Sequence, residues 1–150
     1  MSGPIIVSTD GSDRCLHAVA AGLALLPKGD PIVIVTVAES TDAALLTGTG
    51  FAGGTVSPEE FDALERAATE GGHQVLDATA ERLEIPDAEK VLLRGEPGSA
   101  IIHLAEERGA KAIVLGSRGH GGFRRAFLGS VSDHVIRHSP CPVIVTHAPH

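Results

Sequence analysis

Between Gly116 and Ser132 the chain gathers residue types that suit one kind of chemistry, the holding of an anion. Gly116, Gly119, Gly121 and Gly122 lie among Arg118, His120, Arg124 and Arg125, and Gly129-Ser130-Val131-Ser132 follows. Glycine lets the backbone approach an oxyanion closely and adopt positive φ without steric cost. Ser130 and Ser132 add hydroxyl donors. A helix opening at Gly129-Ser130 adds first-turn N–H groups and the positive end of its dipole. The arginines supply charge, so a phosphate is the ligand class this set suits best. A solvated surface loop uses the same residue types, and what flanks the glycines must decide between the two. Asp10, in Ser8-Thr9-Asp10-Gly11-Ser12, is the second candidate. A carboxylate there can serve ribose hydroxyls or a metal carried on phosphates. It can also cap the first helix or its turn, and the two jobs are compatible.

These residues need elements to hold them. Ala112 to Leu115 has no polar residue, as a parallel strand covered on both faces requires. After the glycine loop, Leu128, Val131 and Val135 share one helical face, and Cys141 to Thr146 is a further strand. Earlier in the chain, Pro4 to Val7 is a short strand. Ser12 then caps a helix with Leu16, Val19, Ala20, Leu23 and Leu26 at helical spacing, stopped by Pro27 and Gly29. Pro31 to Ala38 is a buried strand, and Glu39 to Val56 has no period and is expected to be a mobile loop. Ser57-Pro58-Glu59-Glu60 combines an N-cap, a proline at the first helical position and a capping-box glutamate, opening a helix to about Leu83 that Gly71-Gly72 weakens. Ala88 to Arg94 is the third strand, and Pro97 to Arg108 a helix closed by Gly109.

Strand and helix alternate throughout, which calls for one α/β domain: an open, mostly parallel sheet with helices on both faces. Right-handed crossovers and one reversal of strand order leave a crevice at the carboxyl ends of two strands. If strands one and four meet there, Asp10 and Gly116 stand on opposite lips of that crevice.

Composition narrows the partners. A chain of 150 residues, 43% hydrophobic, can bury a core of ordinary size as a single domain. With no Trp, no Tyr and four Phe it lacks base-stacking platforms. A net charge of −7 argues against nucleic acid or an anionic membrane as the partner. Yet Lys111, Arg118, Arg124, Arg125 and Arg137 face only one acid, Asp133, in the final forty positions, a pattern that fits a small anionic ligand. Met1-Ser2-Gly3-Pro4 leads straight into a strand-like run, and no apolar stretch is long enough to span a bilayer, so the expected location is cytoplasmic. Cys15 and Cys141 are expected at opposite ends of the sheet, too far apart to bridge.

Other motifs fail their context. Gly48-Thr49-Gly50-Phe51-Ala52-Gly53 is a literal G-x-G-x-x-G, but no strand precedes it, and a dinucleotide fingerprint belongs in the first strand–helix turn. His134 and His138 are four apart on one helix without a third ligand in view. Cys15, near a helix start, suits either a lowered thiol pKa or simple burial, and no resolving cysteine lies near it.

The spacing Gly116-x-x-Gly119, nine residues, then Gly129-Ser130 resembles the nucleotide-binding signature of the universal stress protein family, in its ATP-binding subgroup. The resemblance extends to Ile5-Ile6-Val7-Ser8-Thr9-Asp10-Gly11-Ser12, to Gly95-Glu96-Pro97 and to Cys141-Pro142-Val143-Ile144-Val145, and so covers essentially all of residues 1–150. It implies strand order 3-2-1-4-5 and an adenine nucleotide, ATP, in the crevice between strands one and four. By that resemblance the backbone at Ser8-Thr9 and at Val37 lines the adenine pocket, with Leu115 and Gly116 along the nucleoside. Gly119, Gly129, Ser130, Val131 and Ser132 hold the phosphates, and Asp10 serves ribose or a Mg²⁺ or Mn²⁺ ion carried on the nucleotide. A homodimer paired through strand five, Cys141 to Thr146, is also implied, and an apolar edge strand invites it. The expected role is a nucleotide-responsive stress regulator without catalytic residues. No carboxylate lies between Gly116 and Asp133 to position a base for phosphoryl transfer. A slow ATPase and a module for AMP or cyclic AMP are the alternatives, and the protein partner stays unnamed.

Overall fold

Five parallel strands run through the centre of the computed structural model, which describes residues 3–38, 56–116 and 129–147. The elements alternate as β1 (Ile5–Ser8), α1 (Asp13–Leu23), β2 (Ile32–Ala38), α2 (Pro58–Arg82), β3 (Glu89–Arg94), α3 (Pro97–Arg108), β4 (Ala112–Gly116), α4 (Ser130–His138) and β5 (Val143–Thr146). Their order across the sheet is β3-β2-β1-β4-β5, as the resemblance implied. The expectations for the loop at 39–55, for the G-x-G-x-x-G at 48–53, and for Gly119, Leu128 and the arginines of the glycine loop fall outside the described residues.

The apolar runs explain the sheet. Ile6, Ile34, Ile113 and Val114 are wholly buried, each burial stabilising by about 1.5–3 kcal/mol. Because side chains alternate, each strand feeds two cores. On one side Ile6, Val33, Val35, Ile113 and Leu115 pack with Ile101, Ile102 and Leu104 of α3 and Val135 of α4. On the other, Ile5, Val7 and Val114 meet Cys15 and Val19 of α1, and Ile34 meets Leu76 and Ala80 of α2. Two helices therefore cover each face.

Local chemistry sets the helix ends. The Ser12 hydroxyl accepts from Cys15 N at 3.1 Å and opens α1. The buried face of α1 is Cys15, Leu16, Ala18, Val19 and Gly22; Ala20, expected inside, is exposed. The helix turns Gly22 toward the sheet, where a Cβ would stand 2.6 Å from Val114 Cγ1. At α2 the Ser57 hydroxyl accepts from Glu60 N at 3.1 Å, and the Glu60 carboxylate lies 3.3 Å from that same hydroxyl. The helix continues through Gly71-Gly72 to Arg82. Gly72 is there for space, since a Cβ would stand 2.4 Å from Leu92 Cδ1. In β5 the ladder begins at Val143 rather than Cys141, because Cys141 is held in a turn: its N–H donates to Ser139 Oγ at 3.1 Å and its C=O accepts from that hydroxyl at 2.7 Å.

Cys15 and Cys141 are free thiols. They pack into cores on opposite faces of the sheet, which separates them as well as their expected ends do. Among the described residues no helix is long and apolar enough to cross a membrane.

Candidate functional site

Strand order reverses between β1 and β4, and their carboxyl ends open side by side. The register pairs Ile5 with Ala112 and Val7 with Val114. One step further, Ser8 stands level with Leu115, and Ser8 is also paired with Val35 of β2. In an open α/β sheet this reversal is where ligands bind. Of the candidate residues, Ser8, Thr9, Asp10, Leu115 and Gly116 are brought to this one edge. Val37 lies farther along β2, level with Leu93 and half-buried against the α3/α4 core.

The turn after β1 is tightly specified. Thr9 is buried, its N–H donates to Val35 O at 3.0 Å, and its C=O accepts from the Thr36 hydroxyl at 2.7 Å. Thr9 Oγ1 accepts from Gly11 N at 3.0 Å and lies 3.4 Å from Thr79 Oγ1 of α2. Gly11 has φ +82, the left-handed region, and a Cβ there would stand 3.0 Å from Val75 Cγ2. The Thr9 backbone is thus committed to the fold, and its N–H is not a donor for a ligand. Asp10 Oδ1 accepts from Ser12 N at 2.8 Å, which is the turn-capping role. Its Oδ2 is buried and has no hydrogen-bond partner, the one such side-chain atom among the described residues. A buried carboxylate oxygen left unpaired costs free energy, and a ligand hydroxyl or cation would repay it.

The Cys15 thiol sits beneath this turn and faces Ser8 O at 3.8 Å. Burial pushes it above the ordinary thiol range, and the Asp10 charge acts in the same direction. Cys15 is therefore a buried small hydrophobe rather than an activated thiolate.

Across the crevice, α4 differs from the other helices at its start. Side chains of Ser12, Ser57 and Glu96 cap α1, α2 and α3, with Glu96 taking Gly98 N at 3.1 Å and Ser99 N at 2.7 Å. Hydrogen bonds from Ser99, and then from Gly98 N, hold the Glu96 carboxyl below its ordinary value of 4.5. Helix α4 begins on Gly129 in extended conformation, with no side-chain cap among the described residues. Ser130 is exposed and Val131 half-buried, whereas Ser132 is buried, its hydroxyl donating to Gly129 O at 3.3 Å. An uncapped helix start presents donors and partial positive charge to an anion.

His134 and His138 place their ring centroids 4.6 Å apart, tilted by 42°. No group of three or more metal-ligating side chains forms among the described residues. Sequence reasoning passed over Thr36 and Thr79. The available signal was Thr36 as the lone polar residue in Pro31 to Ala38.

A profile of the universal stress protein family matches residues 1–147. The chain belongs to that family. The universal stress protein YxiE of Bacillus subtilis is 30% identical over 148 residues, covering 97% of this chain and 99% of the relative. Among solved structures, MJ0577 of Methanocaldococcus jannaschii superposes with a TM-score of 0.77 at 23% identity, over 100% of this chain and 99% of that one. A family member from Archaeoglobus fulgidus, solved in complex with dAMP, gives 0.58 at 26% identity, over 97% and 99%. The family match and the structural superpositions thus agree with the fold described above.

Proposed function

We propose that this universal stress protein binds an adenine nucleotide, ATP, in the crevice between β1 and β4 and works as a nucleotide-responsive regulator. The observation that carries this reading is the pairing of an uncapped α4 start with a turn that leaves Asp10 Oδ2 buried and unpartnered. One end offers donors to phosphate, and the other an acceptor to ribose hydroxyls or a cation. The N–H groups of Ser130, Val131 and Ser132 meet the phosphates, with Gly119 and Gly129 allowing close approach. Leu115, Gly116, Val37 and the Ser8-Thr9 segment shape the nucleoside end.

A divalent cation carried on the nucleotide would find one protein oxygen here, the unpaired Asp10 Oδ2. Asp10 would hold Mg²⁺ or Mn²⁺ through its Oδ2, and the ion would neutralise phosphate charge. Slow hydrolysis is the turnover we expect, because no carboxylate lies between Gly116 and Asp133 to orient water. The acting species is a cytoplasmic homodimer paired through β5.

Calorimetric titration of ATP tests the site. The parent is expected to bind, and Gly119→Val to lose binding while keeping its fold, since a Cβ at that glycine obstructs the phosphates. Unchanged affinity in folded Gly119→Val removes the loop from the site. The dAMP complex of the Archaeoglobus fulgidus relative supports a second reading, a site tuned to a nucleoside monophosphate such as AMP or cyclic AMP. Displacement of ATP by AMP or cyclic AMP at lower concentration than ATP itself requires selects that reading.

A further inference from the structure

Thr36 is the one polar side chain in a strand that reads Ile-Val-Ile-Val-Thr-Val-Ala, and it is buried. Valine would fill the same volume and avoid the cost of desolvating a hydroxyl. The hydroxyl is spent on a single partner, the C=O of Thr9, at 2.7 Å. Thr79, wholly buried on α2, donates to Val75 O at 2.7 Å and stands 3.4 Å from Thr9 Oγ1. Thr9 Oγ1 in turn receives Gly11 N. Of the two residues that flank Asp10, Thr9 is therefore held by hydroxyls from a neighbouring strand and a covering helix, and Gly11 by the Thr9 hydroxyl in turn. Val75, one turn before Thr79, closes against Gly11. The Asp10 carboxylate accepts from Ser12 N through Oδ1, and its Oδ2 has no hydrogen-bond partner among the described residues.

We propose that Thr36 and Thr79 are positioning residues for the nucleotide site, their hydroxyls fixing Thr9, through it Gly11, and through that turn the Asp10 carboxylate. This rests on the nucleotide reading above. A ligand that meets Asp10 Oδ2 binds well only if the carboxylate is already in place, because ordering it on binding subtracts from affinity. Without the Thr36 hydroxyl, the Thr9 C=O loses its side-chain donor and the turn gains other arrangements. The alternative is that the three threonines merely satisfy one another inside the core.

Affinity for ATP, measured by calorimetry on the full chain, separates these. The parent, Thr36→Val, Thr36→Ser and Thr79→Val are each titrated alone and in an Asp10→Asn background, well below the thermal midpoint of each. Thr36→Val is expected to weaken binding about tenfold, the scale of one buried hydrogen bond. Thr79→Val should weaken it about threefold, since its contact to Thr9 is long. Thr36→Ser keeps the hydroxyl and should bind like the parent. In the Asp10→Asn background, Thr36→Val should add less than about twofold, because the two act on one contact. A lowered midpoint with parental affinity overturns the proposal, as does a full loss that persists in the Asp10→Asn background. If Thr36→Val does not fold, Thr79→Val in the two backgrounds decides in the same way. A parent that binds neither ATP nor AMP removes the nucleotide reading and this inference together; a parent that binds beside variants that match it removes the inference alone.

Discussion

Ser130 and Ser132 sit two residues apart in one helical turn, yet burial gives them different work. Ser130 is exposed at the uncapped start of α4, while Ser132 is buried and turns its hydroxyl back to Gly129 O. Ser130→Ala is therefore expected to weaken ATP binding by about 1.5–3 kcal/mol, the scale of a hydrogen bond to a charged group, with little change in stability. Ser132→Ala should do the reverse, costing about 1 kcal/mol of stability and contributing to the phosphates only through its backbone. Thermal unfolding and calorimetry on the same two variants check the split, and equal affinity losses would contradict it. Asp10→Ala should lose more affinity when Mg²⁺ or Mn²⁺ is present than in chelator, because Oδ2 is the oxygen without a protein partner. The capping role of Asp10 and its position at the crevice were both legible in the sequence. The unpaired oxygen was not, since it depends on how Thr9 and Gly11 are gripped from β2 and α2.

At the scale of elements, the chain declares itself well where apolar runs and caps coincide. Ser12, Ser57 and Gly109 bound their helices as their residue types require, and the strands lie within two residues of their apolar runs. The inward face of α1 was harder to read. Ala20 satisfies helical spacing but turns outward, because Gly22 lets the helix settle on Val114 along a neighbouring line. In α2 the residue types are poorly matched to backbone needs at two places. Gly71 lies mid-helix, and a Cβ added there would meet no atom within 4 Å, so the glycine costs helix entropy without gaining contact. Glu84, just after the helix, has φ +57, a conformation that suits glycine. Gly71→Ala and Glu84→Gly should each stabilise by about 0.5–1 kcal/mol, raising the thermal midpoint by roughly 1–4 °C. Gly72→Ala gives the contrast: Leu92 must move to admit the methyl, which offsets the gain in helix propensity.

For the whole molecule, the sheet order leaves β3 and β5 at the edges, and the two edges are unlike. Strand β3 is guarded by charge: Glu89 pairs with Arg108 at 2.5 Å and Lys90 with Asp77 at 2.8 Å. Such side chains discourage pairing with another strand. Strand β5 reads Val-Ile-Val-Thr and carries no charge. Ile113 N donates to Pro142 O, and Ile113 is level with Val143, so the even-numbered residues of β5 turn their backbone groups toward β4. Val143 and Val145 then present N–H and C=O to the open edge. Pro142 does not blunt that edge, because its missing N–H lies on the β4 side. A second copy related by a two-fold axis can pair antiparallel along Val143 and Val145, satisfying both sets of groups. Val145→Pro removes one outward donor and leaves the ladder to β4 intact, so it is expected to shift a dimer to monomer with the fold retained. Ile144→Pro is the control, since it breaks the β4 ladder and should cost stability instead. Light scattering across a dilution series, with circular dichroism on both variants, reads the outcome. A monomeric parent, or a Val145→Pro variant that stays dimeric, would show that β5 is not the surface through which copies meet.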